Sequence, residues 1–408
     1  MPGLAAPPPD DEGAAPITVA GRLSTYLKAG GIVTPLITVT FAFIVGGLVV
    51  LVTGGNPFET YRAIFDGTGL NWPFPWISSE DREIAAINLQ QTLIVTTPLI
   101  LTGLAVAFAF RCGLFNIGGQ GQYLVGSYLA VWVGSSFDGM PAALHVLLCI
   151  VAGCVAGAVW GGIAGLLKAT TGANEVISTI MLNWIAVWTG FFLFGLGGPL
   201  QSDTDRSVPV SNDVFDGAKL PVIWGDAQLQ GLHVGLFIAL AALLVFWVLL
   251  NRTRTGYEVR AVGFNPEAAR ASGISVGRNY VLVMSVCGLF AGLAGSLDLL
   301  GWQFRVATND IQISEIGFLG IAVALLGRNT AVGTLFAALL FGALVTGTSV
   351  RNLDPTVFEP ALASNLTLII QGLVVLLVSA DIIVVYLWRL RSRRRRPPAG
   401  AERVEVTA

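Results

Sequence analysis

Three short stretches set polar side chains within otherwise apolar sequence, and they are where chemistry is to be sought. Arg111-Cys112-Gly113-Leu114-Phe115-Asn116-Ile117-Gly118-Gly119-Gln120-Gly121-Gln122 carries four glycines and three amides between two apolar runs. Amides donate and accept hydrogen bonds without charge. Such a stretch suits an unwound or half-helical element whose backbone faces a cavity. It suits equally a glycine-rich helix contact with a tight cytoplasmic turn, and the residues leave both readings open. In the second stretch, Asn174 to Asn183, Glu175, Ser178 or Thr179, and Asn183 recur at helical spacing. They share one face, turned away from lipid. Packing or gating is favoured there over solute contact, because Ser and Thr also bond the preceding turn of their own helix. Glu175 can serve merely as a first-turn dipole partner. In the third, Asp298, Gln303, Asn309 and Glu315 stand at the outer end of one apolar run and the start of a short one. Asp298 either bridges to Arg305 or lines an outer vestibule.

Polar residues inside apolar spans are expensive and therefore functional candidates. The candidate pathway set is Asn116, Gln120, Gln122, Ser178, Thr179, Asn183 and Asp298. Uncharged members outnumber charged ones, which favours a neutral, hydroxyl-rich or heterocyclic solute. Enzymatic readings fare poorly. None of the three lysines, Lys28, Lys168 and Lys219, follows a glycine, so no P-loop can be written. No Ser/His/Asp or paired-carboxylate arrangement is evident. Two histidines are too few for a His-based metal site, and Cys112, Cys149, Cys154 and Cys287 sit in or beside apolar runs without ligand spacing. The chain is expected to act as no enzyme and to bind no metal or cofactor of its own.

The elements that must position these residues cross a membrane. The chain is 54% hydrophobic and 12% charged, with a mean hydropathy of +0.73. Soluble domains carry about 25% charged residues. Forty-nine glycines fit close helix packing in lipid, where small residues let backbones approach. The expected fold is all-α, a polytopic transmembrane helical bundle. Apolar runs occur near 33–54, 90–110, 113–135, 142–168, 174–197, 232–250, 279–301, 330–349 and 364–388, with a shorter one at 315–327. Two polar intervals are long. The one at 55–89, with Trp72 and Trp76, reads as an interfacial loop; the acidic one at 198–231 reads as an outer surface.

Counting the short run as a crossing, broken or partial, gives ten segments with both termini cytoplasmic. Seventeen of the 23 Lys and Arg residues then lie inside, as the positive-inside rule asks. Residues 1–32 form a Pro-rich, acidic cytoplasmic segment without a cleavable signal, 33–388 the membrane domain, and 389–408 a basic tail. Next to a span, that tail is a topology anchor near anionic lipid rather than a nucleic-acid patch.

The long basic interval 251–279 carries a helix signature. Asn265 can cap, Pro266 suits the first helical position, and Glu267 and Arg270 carry the charges that the helix dipole favours at each end. Gly273 follows as a left-handed stop. The expected helix, Pro266 to Ser272, is about two turns long, and isolated helices below roughly 12–15 residues are marginal in water. Something must hold it, the membrane domain below or a partner above.

These residues carry a resemblance. RCGLFNIGGQGQ is similar to the RxGLFNIGxEGQ signature of nucleoside-type ATP-binding-cassette importer permeases, in the branched-chain amino acid/simple-sugar permease superfamily. NEVISTIMLNWIA resembles that group's HEVIxTIMLNYIA, YEVRAVGFNPEAARASGI its cytoplasmic loop, and GIAVALLGRNTAVG its GIAVALLGxxxPxG. The resemblance runs from about Leu89 to Asp381. It implies a bacterial-type permease in the plasma or inner membrane, carrying nucleosides or, alternatively, simple sugars. An ATP-independent secondary transporter or channel is the distant alternative. It implies that Asn265, Pro266, Glu267, Ala268, Ala269, Arg270 and Gly273 form the coupling helix for a separate ATPase subunit, which would use the ATP. A second, homologous permease and an extracellular substrate-binding lipoprotein are also implied. Gln120 stands where the family usually has Glu, and Asn174 where it often has His.

Overall fold

The computed structural model describes residues 33–52, 54–226, 231–349 and short helical pieces between 365 and 376. The N-terminal segment 1–32, most of the last apolar run and the basic tail lie outside the described residues, and with them both termini. The described chain is overwhelmingly helical. Seven helical segments are long and apolar enough to cross a membrane: Pro35–Val52, Ser79–Arg111, Ala142–Thr171, Glu175–Phe194, Gly235–Arg252, Val276–Gln303 and Thr308–Leu326.

In chain order the helices are α1 (Val33–Val52), α2 (Pro57–Thr68), α3 (Ser79–Arg111), α4 (Gly119–Ser136), α5 (Ala142–Thr171), α6 (Glu175–Phe194), α7 (Gly235–Arg252), α8 (Arg254–Phe264), α9 (Pro266–Ala271), α10 (Val276–Asp298), α11 (Thr308–Ile313), α12 (Ile316–Leu326) and α13 (Ala331–Gly347). The interval 55–89 corrects the expectation of a loop. Asn56 caps α2, accepting from the Phe58 N–H, with Pro57 at its first turn, and Ser78 caps α3 by accepting from the Asp81 N–H. These are helix starts written in polar residues, which a search for apolar runs passes over. Trp72 packs on Trp224 and Trp76 stacks on Phe74, so the aromatic cluster forms a surface cap.

The bundle is built around α3, which packs against α10, α12, α13 and α7. The densest contact joins α5 to α10. Gly153, Gly157, Gly161 and Gly165 recur every fourth residue along α5, on one helix face. A methyl at Gly157 would stand 2.2 Å from the Gly288 carbonyl oxygen and 2.8 Å from Gly292 Cα. Backbone therefore meets backbone, the packing that small residues permit in lipid.

The short run at 315–327 is a broken segment. α11 ends at Ile313, Ser314 and Glu315 interrupt, and α12 resumes at Ile316. α4 is buried within the bundle rather than lipid-facing, which lets it carry Gln120 and Gln122 of the first motif. Residues 198–226 form a layer beside the bundle with a small hairpin, Val222–Trp224 paired antiparallel with Leu232–His233. The strand takes Leu232 and His233, so α7 starts at Gly235 and not at 232. In this layer the Ser207 hydroxyl holds the Asp205 carboxyl below its ordinary range, and the Lys219 ammonium does the same for Asp216.

Candidate functional site

The short helix α9 is capped as its sequence demands. Asn265 is extended, at φ −159° and ψ 104°, and its Oδ1 accepts from the Glu267 and Ala268 N–H groups at 3.0 and 3.1 Å. Pro266 occupies the first turn, Ser272 follows as C-cap, and Gly273 turns left-handed at φ 83°. Glu267 and Arg270 approach to 3.8 Å on the exposed face. Ala269 is buried and anchors the helix from beneath, while Pro266, Glu267, Ala268 and Arg270 face outward. Directly before the cap stands a residue that sequence reasoning overlooked. Phe264 is 90% exposed, an aromatic ring held out beside a charged helix. Its signal was available: one large apolar residue immediately ahead of an Asn-Pro helix start.

The base under α9 is built of glycine. A Cβ at Gly263 would lie 2.4 Å from the Arg111 carbonyl oxygen, so the end of α8 rests directly on the end of α3. Gly113, left-handed at φ 71°, lies against the same Gly263 backbone. Arg111 then clasps the turn after α12, its Nε and Nη2 donating to the Asn329 carbonyl oxygen at 3.0 and 2.7 Å.

Beyond this base the chain is irregular until α4 begins at Gly119. Asn116 and Gln122 exchange two hydrogen bonds, Asn116 Nδ2 donating to Gln122 Oε1 at 3.0 Å and Gln122 Nε2 to Asn116 Oδ1 at 3.1 Å. Asn183, from α6, donates to the Ile117 carbonyl at 2.9 Å and accepts from the Gly121 N–H at 2.8 Å. Thr179 closes the group from the same helix, beside Gly118. Gln120 reaches the other way, Nε2 to the Ser314 carbonyl and Oε1 from the Gly317 N–H, both at 2.8 Å. Asn116, Gln120, Gln122, Thr179 and Asn183 are all buried and brought together. The stretch thus combines an irregular segment with a tight turn, and its amides are bonded to one another and to backbone groups.

Ser178 lies apart. It is half-buried and back-bonds to the Asn174 carbonyl at 3.0 Å. Asn174 itself caps α6, accepting from the Val176 and Ile177 N–H groups. Glu175 bonds Lys168 at 2.6 Å, tying the start of α6 to the end of α5.

Asp298 forms a separate site towards the layer of residues 198–226. It accepts from Tyr123 Oη at 2.5 Å and from Gln303 Nε2 at 2.7 Å. The bridge to Arg305, one of its two alternatives, is not formed among the described residues. After Asp298 the chain continues as a π-turn, Leu299–Gln303, which brings Gln303 back over the carboxylate while Arg305 is carried outward and exposed. Such π-turns inside helices recur at functional positions. Asn309 and Glu315 are exposed and take no part.

The guanosine ABC transporter permease protein NupP of Bacillus subtilis (strain 168) is 40% identical over 319 residues, 78% of this chain and 85% of that protein. The nucleoside permease NupB of Lactococcus lactis subsp. cremoris (strain MG1363) is 36% identical over 326 residues, 78% of this chain and 84% of its own. The glucose permease TsgB13 of Haloferax volcanii is 35% identical over 379 residues, covering 90% and 93%. The family described as branched-chain amino acid transport system / permease component matches residues 88–379, a span that holds the amide cluster, the broken segment and α9. With seven apolar helices around those features, the chain belongs to this permease family and is a multi-pass membrane protein.

Proposed function

We propose that the chain is the permease half of an ATP-driven importer of nucleosides, coupled through residues 251–279 to a separate ATP-binding-cassette ATPase. One observation carries the coupling role. A two-turn helix stands in solvent on a glycine base, with Phe264 exposed beside it. Exposed aromatics at the centre of a docking surface dominate binding energies, and a helix this short gains from a partner above it.

The connections beneath suggest how a push is passed on. A displacement of α9 reaches Gly263, then Arg111 and Gly113, and then the Asn116–Gln122 pair at the start of α4. Gln120 carries it across to the break between α11 and α12. Close-packed contacts of this kind move as units rather than deforming continuously. In this reading the buried amides position the moving elements, and solute contacts arise where those elements face the second permease.

The nucleoside substrate is supported by the printed specificities of NupP and NupB and by the predominance of neutral polar groups. A simple-sugar importer is the second reading, supported by TsgB13 over the larger share of the chain. The proposal includes a second, different permease subunit, an extracellular substrate-binding lipoprotein, ten membrane segments with cytoplasmic termini, a plasma-membrane location, and ATP use confined to the partner. The domain division at 1–32, 33–388 and 389–408 belongs to it as well. Uptake of labelled guanosine, uridine and glucose, with and without the gene, tests it. Loss of nucleoside uptake alone is expected; loss of glucose uptake alone would transfer the assignment to the second reading.

A further inference from the structure

We infer that the exposed edge of the broken segment, Asn309 to Phe318, lines the water-filled solute path at half the depth of the bundle, and that Glu315 accepts hydrogen bonds there from hydroxyl groups of the solute. The inference rests on the importer reading and names path residues that this reading leaves open. Depth is set by α4 and α6, which run alongside. Asn183 of α6 accepts from the Gly121 N–H, and a Cβ at nearby Gly119 would lie 3.2 Å from the Gly317 carbonyl oxygen. Gly317 therefore stands close to the level of Asn183, about 12 Å along a helix of about 29 Å. Ile311 stands level with Gly190, where a Cβ would meet its Cδ1 at 2.6 Å, about 22 Å along the same helix. The break at Ser314 and Glu315 falls between these two levels, near the middle. From there α12 descends to the turn that Arg111 holds at Asn329, on the α9 side.

The side chains at this level are of the wrong kind for lipid. Asn309, Asp310, Gln312, Ile313, Glu315 and Phe318 are exposed, while Thr308, Ile311 and Gly317 turn into the bundle. None of the four polar ones makes a hydrogen bond or ion pair through its side chain among the described residues. A carboxylate at the centre of a lipid-facing helix is strongly disfavoured, and membrane segments turn such residues towards a bundle interior or a water-filled cavity. Irregular backbone at membrane depth obeys the same rule. The contrast is α5, whose exposed stripe at Val151, Val155 and Val159 is apolar. One face of the bundle is thus built for hydrocarbon and another for water. Gln120 bonds the Ser314 carbonyl and the Gly317 N–H from the bundle side, so the Glu315 carboxylate between them stands on a braced mount. An ionised carboxylate only accepts hydrogen bonds, which suits the hydroxyls of a ribose or sugar ring. Phe318, 44% exposed on the next turn, offers that ring an apolar face.

The test uses the full chain in the assembled importer, reconstituted in lipid vesicles, with a charged methanethiosulfonate reagent that attacks water-exposed thiols. Glu315→Cys and Gln312→Cys should be modified roughly tenfold or more faster than Val159→Cys, because only a hydrated thiol forms the reactive thiolate readily. Val159 lies at comparable depth, about 13 Å along α5 from Lys168. The unaltered protein supplies the background of the four native cysteines. Guanosine or glucose, whichever the parent importer takes up, should slow modification of Glu315→Cys. Glu315→Gln should lower guanosine uptake roughly tenfold, the worth of one hydrogen bond to a charged group, and should leave uptake of 2′,3′-dideoxyguanosine within about twofold of the parent's, since that compound lacks the hydroxyls. For a glucose importer the same pair is glucose and a deoxyglucose. Equal modification of Glu315→Cys and Val159→Cys would overturn the path lining. Equal loss of the hydroxylated and deoxy solutes in Glu315→Gln would overturn the hydroxyl contact. A parent protein that takes up neither solute would refute the importer reading, while the modification rates still decide whether this edge meets water.

Discussion

Gln120 and Gly317 are joined across the bundle, the Gln120 Oε1 accepting the Gly317 N–H at 2.8 Å while its Nε2 donates to the Ser314 carbonyl. One amide thus serves both sides of the break between α11 and α12. A carboxylate accepts from Gly317 equally well but has nothing to donate to Ser314. The glutamine that departs from the family signature is therefore matched to its surroundings. Gln120→Glu should set a negative charge against the Ser314 carbonyl, and Gln120→Leu should leave two buried backbone groups unpaired. Each unpaired group costs about 1–3 kcal/mol. Thermal unfolding in detergent should show both variants less stable than the parent protein; an unchanged midpoint for both would show that Gln120 braces nothing.

Phe264 should be the strongest single contributor to ATPase docking. Phe264→Ser removes an exposed ring and disturbs no packing, so expression and folding should persist. Loss of a docking hot spot costs about 2 kcal/mol or more, which is roughly a 30-fold weaker complex. Co-purification of the ATPase subunit measures this directly, and full recovery from the variant would remove Phe264 from the interface.

The cap and the exposed face of α9 separate stability from coupling. Asn265→Ala loses two backbone partners and should weaken the local helix by about 1 kcal/mol. Glu267→Lys and Ala268→Trp alter only the outward face and should uncouple uptake from ATP hydrolysis at normal expression. Wild-type uptake from the last two would count against the docking role.

Acid should loosen the hairpin layer through His233. Burial pushes this imidazole down to about 4 from its ordinary 6.5, so the folded protein holds it neutral. Stability from His233 is present in full above pH 6.5 and is lost progressively as pH falls towards the folded value near 4. The loss amounts to about 3 kcal/mol at 1.36 kcal/mol per unit. The pH dependence of thermal unfolding should flatten in His233→Asn; a profile identical to the parent's would place the acid sensitivity elsewhere.

The α5–α10 contact admits no side chain. Gly157→Val should place methyl groups on the Gly288 carbonyl and abolish folded expression, since overpacking of a close-packed core typically costs about 1–3 kcal/mol and here meets backbone rather than a yielding side chain. Recovery of monodisperse protein on size exclusion would refute this.

What could be read from the chain alone was local. Apolar runs longer than about 20 residues announce membrane helices because lipid offers backbone groups no partner. The α9 cap was legible because Asn265, Pro266 and Gly273 act through bonds within a few residues of themselves. The helix starts at Asn56 and Ser78 are equally local, but they are written in polar residues, which hydropathy does not register. Other features depended on distant segments. Asp298 met Tyr123, which lies far from it in sequence, because α4 and α10 pack side by side and the π-turn redirects Gln303. Gln120 found Ser314 and Gly317 nearly two hundred residues away. Arg111, Arg260 and Arg328 came to line one cavity from three elements far apart in sequence. Residue types and short spacings determined the helices, their caps and their polar candidates, whereas only tertiary packing chose which polar groups would satisfy one another, because a buried amide or guanidinium bonds whatever donor or acceptor the bundle brings within about 3 Å.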